Sequence, residues 1–120
     1  MFTEINTDIA LVCSLTPREL EVRGGEITQL VTHVVAMEEL ADGYRFAFAG
    51  EAARLPDLVA FVLAERACCP FFTFELTFPS PHEHIWLSIR GREGVKEIVY
   101  DGFVAKVLEQ TNVRLASIER

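Results

Sequence analysis

Two cysteines stand side by side in Glu65-Arg66-Ala67-Cys68-Cys69-Pro70-Phe71-Phe72, where an apolar helical pattern gives way to an alternating strand pattern. Thiols select soft ions, and neighbouring thiols can also form and break disulfides. Pro70 fixes where the pair sits. It has no N–H to donate, and its ring pushes Cys69 out of the α region, so a helix must stop there. Carbonyls of residues 66 to 69 then lose helical partners, at the end of a helix dipole that attracts cations. Adjacent helical residues point about 100° apart, so one sulfur can pack while the other faces a pocket. Glu65, three and four residues upstream, shares a face with both.

A third cysteine, Cys13, precedes another predicted helix. If the two junctions meet at one end of a sheet, three sulfurs converge, a donor set suited to thiophilic ions rather than Mg or Ca. Zinc would take a fourth ligand from His82, His84 or Glu65, although the separated Cys-x-x-Cys pairs of strong zinc motifs are missing. Two other accounts stand beside this one. Free cysteine is among the most buried residue types, so the pair could simply pack. A thiol-redox role would need a lowered thiol pKa, which Arg66 favours and a helix C-terminus opposes. A vicinal disulfide ranks last, because it needs a strained ring.

Other chemistry-bearing residues are weaker candidates. His82-Glu83-His84 lies between strands among prolines and reads as a solvated loop before it reads as a metal triplet. His33 starts a strand and is expected to be structural. Neither Glu38 with Glu39 nor Asp57 with Glu65 is fixed beside a common cleft. Gly91-Arg92-Glu93-Gly94 lacks the glycine spacing of a nucleotide fingerprint and reads as a turn. No nucleophile elbow, P-loop or zincin motif occurs.

Composition narrows the class. One domain over residues 1–120 is expected, with half of the residues hydrophobic, enough for a single core. The net charge of −7 and the absence of basic runs argue against binding a phosphate backbone, so nucleic acid is not expected as a partner. The first residues are acidic where a signal peptide is basic, and the longest apolar run, Leu58 to Ala64, is far below a membrane span. A cytoplasmic protein with reduced cysteines follows, and a homodimer is compatible with the sequence.

These residues must be positioned by a repeated helix-hairpin pattern. Ile9 to Cys13 reads as a short strand. Thr16-Pro17-Arg18-Glu19 is a capping box opening a helix with Leu20, Ile27, Leu30 and Val31 on one face. His33 to Leu40 and Tyr44 to Phe48 form a hairpin around Ala41-Asp42-Gly43, whose glycine can take positive φ. A second helix spans about Ala53 to Cys69, with Leu55, Leu58, Val59, Val62, Arg66 and Cys69 close to one stripe. Phe72, Phe74, Leu76 and Phe78 alternate with polar residues along a strand, which returns through Ile85, Leu87 and Ile89. A third helix runs from about Glu93 to Glu109 on Val95, Ile98, Val99, Val104 and Leu108, and residues 113–118 add a strand or fray. The predicted fold is α+β: a two-layer sandwich whose antiparallel sheet of two hairpins, about four strands with a further terminal one, is covered by three helices. Phe46, Phe48, Val59, Val62, Phe72, Phe74, Leu76 and Leu87 are its expected core.

Several segments resemble those of a small, uncharacterised bacterial family. They are Cys13-Ser14-Leu15-Thr16 leading to Glu19-Leu20 and Arg23, then Asp42-Gly43-Tyr44-Arg45-Phe46, Glu65-Arg66-Ala67-Cys68-Cys69-Pro70-Phe71, and Trp86-Leu87-Ser88-Ile89 followed by Gly91 and Glu93-Gly94-Val95. The Glu-Arg-x-Cys-Cys-Pro-Phe core is the distinctive part. The resemblance implies that Cys13, Cys68 and Cys69 belong to one pattern, associated with mercury and heavy-metal resistance.

The sequence therefore leads to an expected ion-binding protein rather than an enzyme. It would bind or sense Hg(II), As(III) or Zn(II) through Cys13, Cys68 and Cys69, with Glu65 as an oxygen ligand or outer charge. No organic cofactor is expected.

Overall fold

A computed structural model describes residues 16–49, 55–80 and 83–117 of the chain. Helix α1 (Pro17–Val31) opens on the predicted capping box. The Thr16 hydroxyl accepts from the Glu19 N–H, and the Glu19 carboxylate accepts from the Thr16 N–H at 2.8 Å. Two otherwise orphaned donors are thereby satisfied, and Pro17 sits where its missing N–H costs nothing. The strand expected at Ile9 to Cys13 lies outside the described residues.

Strands β1 (Val34–Leu40) and β2 (Gly43–Phe48) form the first hairpin. Helix α2 (Leu55–Cys68) follows, then β3 (Thr73–Thr77) and β4 (Ile85–Arg90). Helix α3 (Val95–Val99) passes through a π-helical turn at Tyr100–Val104 into α4 (Ala105–Gln110), and β5 (Leu115–Ser117) ends the described chain. The five strands are ordered β3-β4-β2-β1-β5. The expected terminal strand is present, and it pairs parallel to β1, Met37 opposite Leu115, so the sheet is mixed. The other pairings among the described residues are antiparallel.

Period-two alternation puts opposite faces of the sheet to different uses. Phe46 lies opposite Met37 on one side and Leu87 on the other, and Leu87 lies opposite Leu76. These residues share the face that the helices cover. Phe103, from the π turn, meets Phe46, Phe61 and Phe72 at ring separations of 6.5, 5.6 and 6.3 Å. On the other face Arg45 pairs with Glu38 and stacks over Trp86, 4.2 Å from the ring centroid. This is the expected α+β sandwich, and most of its buried apolar residues form one cluster.

Three expectations about the core need correction. Val59 is 37 % exposed, because the buried face of α2 is Leu58, Phe61, Glu65 and Cys68. That spacing of three and four residues leaves Val59 a step of about 100° away from Leu58. Phe74, Leu76 and Val62 pack against the core only partly buried, Phe74 and Leu76 because β3 is an edge strand. In the third helix the Ala105 N–H bonds to the Tyr100 carbonyl, five residues back. The apolar stripe continues from Val99 through Phe103 and Val104 to Val107, and leaves Leu108 42 % exposed.

Candidate functional site

The end of α2 delivers the cysteine pair to a buried corner. The Cys69 N–H still donates to the Glu65 carbonyl at 2.7 Å, and the Phe72 N–H donates back to the Cys69 carbonyl at 3.2 Å. A tight turn with Pro70 in second position thus reverses the chain from helix to strand, a place suited to proline's fixed φ. Phe71 and Phe72 pack edge-to-face behind it, ring centroids 4.9 Å apart. The turn also supplies the Cys69 carbonyl with a donor, so this carbonyl is not left open for a cation.

Cys68 and Cys69 are both buried, at 5 % and 8 % exposure. Their sulfurs lie 3.5 Å apart. Cys68 is disulfide-bonded, whereas Cys69 is free. The expectation of reduced cysteines is corrected at Cys68, since spacing along a chain does not reveal which distant sulfur reaches a buried helix end. A disulfide sulfur carries no proton, so the Cys69 S–H is the donor in the contact. Burial, then the Glu65 carboxylate, push the Cys69 thiol up to about 11, against a smaller opposing pull from Arg23. Such a thiol is a poor free nucleophile.

Glu65 is 3 % exposed, and burial holds its carboxyl above the usual range despite the Arg23 charge. Arg23, reaching across from α1, places Nε 3.5 Å from Glu65 Oε2 and Nη1 3.3 Å from Glu26 Oε1. The Nε contact is electrostatic without hydrogen-bond alignment, and that buried nitrogen has no hydrogen-bond partner among the described residues. Arg66, expected as the nearby cation, is exposed; Arg23 is the charge that acts on Cys69. Sequence spacing gave no sign of this cross-helix pair, although Arg23 falls within the first segment of the family resemblance.

None of the other described candidates joins the pair in a cage of three metal-ligating side chains. Cys13 and His82 lie outside the described residues. His84 and Glu83 are exposed, as expected of a solvated loop. Among the described residues no three His, Cys, Asp or Glu side chains come together as a metal cage. Gly94 takes φ 96° and α3 begins without a side-chain cap, so Gly91 to Gly94 is the expected turn. A cleft of about 490 Å³ opens between α1 and α2, lined by Arg23, Leu30, His33, Leu58, Phe61 and Ile85 among others. Neither Cys68 nor Cys69 lines it.

The arrangement therefore offers two sulfurs in mutual contact, a buried carboxyl beside them and an arginine that anchors that carboxyl. The 3.5 Å contact joins a disulfide sulfur to a thiol; two thiolates held close together could both reach one ion at metal–sulfur bonds of about 2.3 Å. The residues present fit a bidentate thiolate chelate once Cys68 is reduced. No helix among the described residues is long and apolar enough to cross a membrane. No family model, curated protein or solved structure matches this chain.

Proposed function

We propose that this protein binds a soft, thiophilic ion through Cys68 and Cys69 and acts in buffering or sensing it in the cytoplasm. The observation that carries the reading is the 3.5 Å separation of the two sulfurs at a helix C-terminus. Helix C-termini attract cations, and soft sulfur selects soft ones. Glu65 contributes charge rather than a bond in this reading, because its carboxylate is directed to Arg23. Cys13 is proposed as a third thiolate from its place before the first helix and from the family resemblance. The same surroundings disfavour the redox alternative, since burial and Glu65 outweigh the pull of Arg23 and keep the Cys69 thiol protonated.

A purely structural role is the second reading, favoured by the burial of both cysteines in the apolar cluster that also holds Phe71 and Phe72. Metal analysis separates the two. The full chain, purified without oxygen and reduced, is exposed to Zn(II), As(III) or Hg(II), desalted and analysed for bound ion. One ion per chain, lost in Cys69→Ser, supports the binding role. A chain that retains none of the three ions has cysteines that only pack.

A further inference from the structure

The cleft of about 490 Å³ between α1 and α2 has the size of a small-molecule pocket, roughly 300–1,000 Å³. Its lining is mainly apolar: Leu30 from α1, Phe48 from β2, Leu58 and Phe61 from α2, and Ile85 from β4. Arg23 lines the same cleft, with 21 % of its side chain exposed, so a guest there can reach it. Its Nη1 lies 3.3 Å from Glu26 Oε1 and its Nε 3.5 Å from Glu65 Oε2. Those two carboxylates balance the charge, yet Nε has no hydrogen-bond partner among the described residues. A guanidinium carries five N–H donors in a planar fork, and a buried donor without an acceptor destabilises its surroundings until one is supplied.

We infer that this cleft binds an uncharged, mainly apolar small molecule through a carbonyl-type acceptor on Arg23, with its apolar body over Leu30, Leu58 and Phe61. The balance of charge selects this class. A carboxylate guest gains the guanidinium but meets Glu26 and Glu65 beside it, and Asp57 elsewhere on the lining. An ammonium guest meets the charge of Arg23 and leaves its donors unused. A neutral acceptor takes those N–H groups and repels neither carboxylate. Neither Cys68 nor Cys69 lines the cleft, so the inference stands or falls apart from the ion-binding reading.

The test titrates the full chain, isotope-labelled for NMR, with three probes that share a phenylalkyl body. They are benzylacetone, an uncharged ketone; hydrocinnamate, a carboxylate; and phenylpropylamine, an ammonium. Amide shifts map the site and give Kd. Benzylacetone should move amides of the lining, Leu30, Leu58 and Phe61 among them, with Kd on the order of 1 mM, as expected of a fragment of about eleven non-hydrogen atoms. The two charged probes should each bind about tenfold more weakly. Arg23→Met keeps an apolar stem without donors and should weaken the ketone about tenfold, the order of one hydrogen bond to a charged donor. Ala64, partly buried on the lining, is the site of a blocking variant, and Ala64→Phe should remove binding. Tighter binding of either charged probe would overturn the neutral class. Ketone shifts confined to other surfaces, or none up to about ten times the expected Kd, would overturn the site. Undiminished ketone affinity in Arg23→Met would overturn the role of Arg23. The probe ranking and the shift map on the unmodified chain decide both class and site even where a variant folds poorly.

Discussion

Arg23 and Glu65 face each other across α1 and α2, with Nε and Oε2 3.5 Å apart. The pair ties the helix that carries the cysteines to the helix that opens the described chain. Burial nevertheless outweighs the guanidinium's pull, and the Glu65 carboxyl lies above its ordinary 4.5.

That direction has a consequence for stability. A group whose pKa is raised on folding binds its proton more tightly in the folded state, so stability declines as pH rises from about 4.5 through the raised value. Glu65→Gln should flatten this decline. Urea unfolding at a series of pH values checks it, and parallel curves for variant and parent would contradict the assignment.

The thiol of Cys69, pushed up to about 11 from 9.0, should alkylate slowly. Near pH 8 its thiolate fraction is about a hundredfold below that of an ordinary cysteine. Iodoacetamide labelling followed by mass spectrometry should therefore show a rate that climbs until about pH 11. Fast labelling at neutral pH would mean that the corner opens readily.

Phe103 stands at the centre of the aromatic cluster, touching Phe46, Phe61 and Phe72. Phe103→Ala should cost about 3–5 kcal/mol, the usual range for a buried ring. Phe74→Ala, on the edge strand and partly buried, should cost clearly less. Denaturant melts rank the two, and the reverse order would contradict the core described above.

Glycines give predictions of opposite sign. A Cβ on Gly43 would lie 2.0 Å from the Ile89 carbonyl oxygen and 2.9 Å from Arg90 Cα. Gly43→Ala should destabilise by more than about 2 kcal/mol, since backbone has to move. Gly24, inside α1 with nothing within 4 Å of its would-be Cβ, is the contrast. Gly24→Ala should stabilise by about 0.5–1 kcal/mol. Thermal melts of both variants check the signs.

Local signals carried much of the fold. The Thr16 and Glu19 capping box and the alternation of Phe46, Phe48, Leu87 and Ile89 placed helix and strands correctly, because caps and strand faces are set by near neighbours. What depends on distant partners was not legible. The hairpin glycine, Gly43, suggested a positive φ, yet Gly94 is the glycine with that conformation among the described residues. Gly43 is there for its approach to β4. The expected stripe on α2 takes in Val59, Val62 and Arg66 beside Leu58, whereas Phe61, Glu65 and Cys68 are buried with Leu58, because the helix is apolar nearly all round and packing decides its face. At the site, Glu65 was legible from its helical spacing to the cysteines. Its partner Arg23, and the disulfide at Cys68, were not.

The parallel pairing of β5 with β1 also bears on how the chain behaves before it is finished. Met37, Glu38 and Glu39 receive Leu115, Ala116 and Ser117 as their second neighbours, so a nascent chain holds β1 as a bare edge until its last described strand has emerged. Bare edges are templates for aggregation, and charge is a common defence. Glu38 and Glu39 put two carboxylates on that strand, and a second copy aligning there meets like charge. Arg45 and Lys96 pair with the same two residues and both precede β5 in the chain, so the charge on that edge is already partly balanced when β5 arrives.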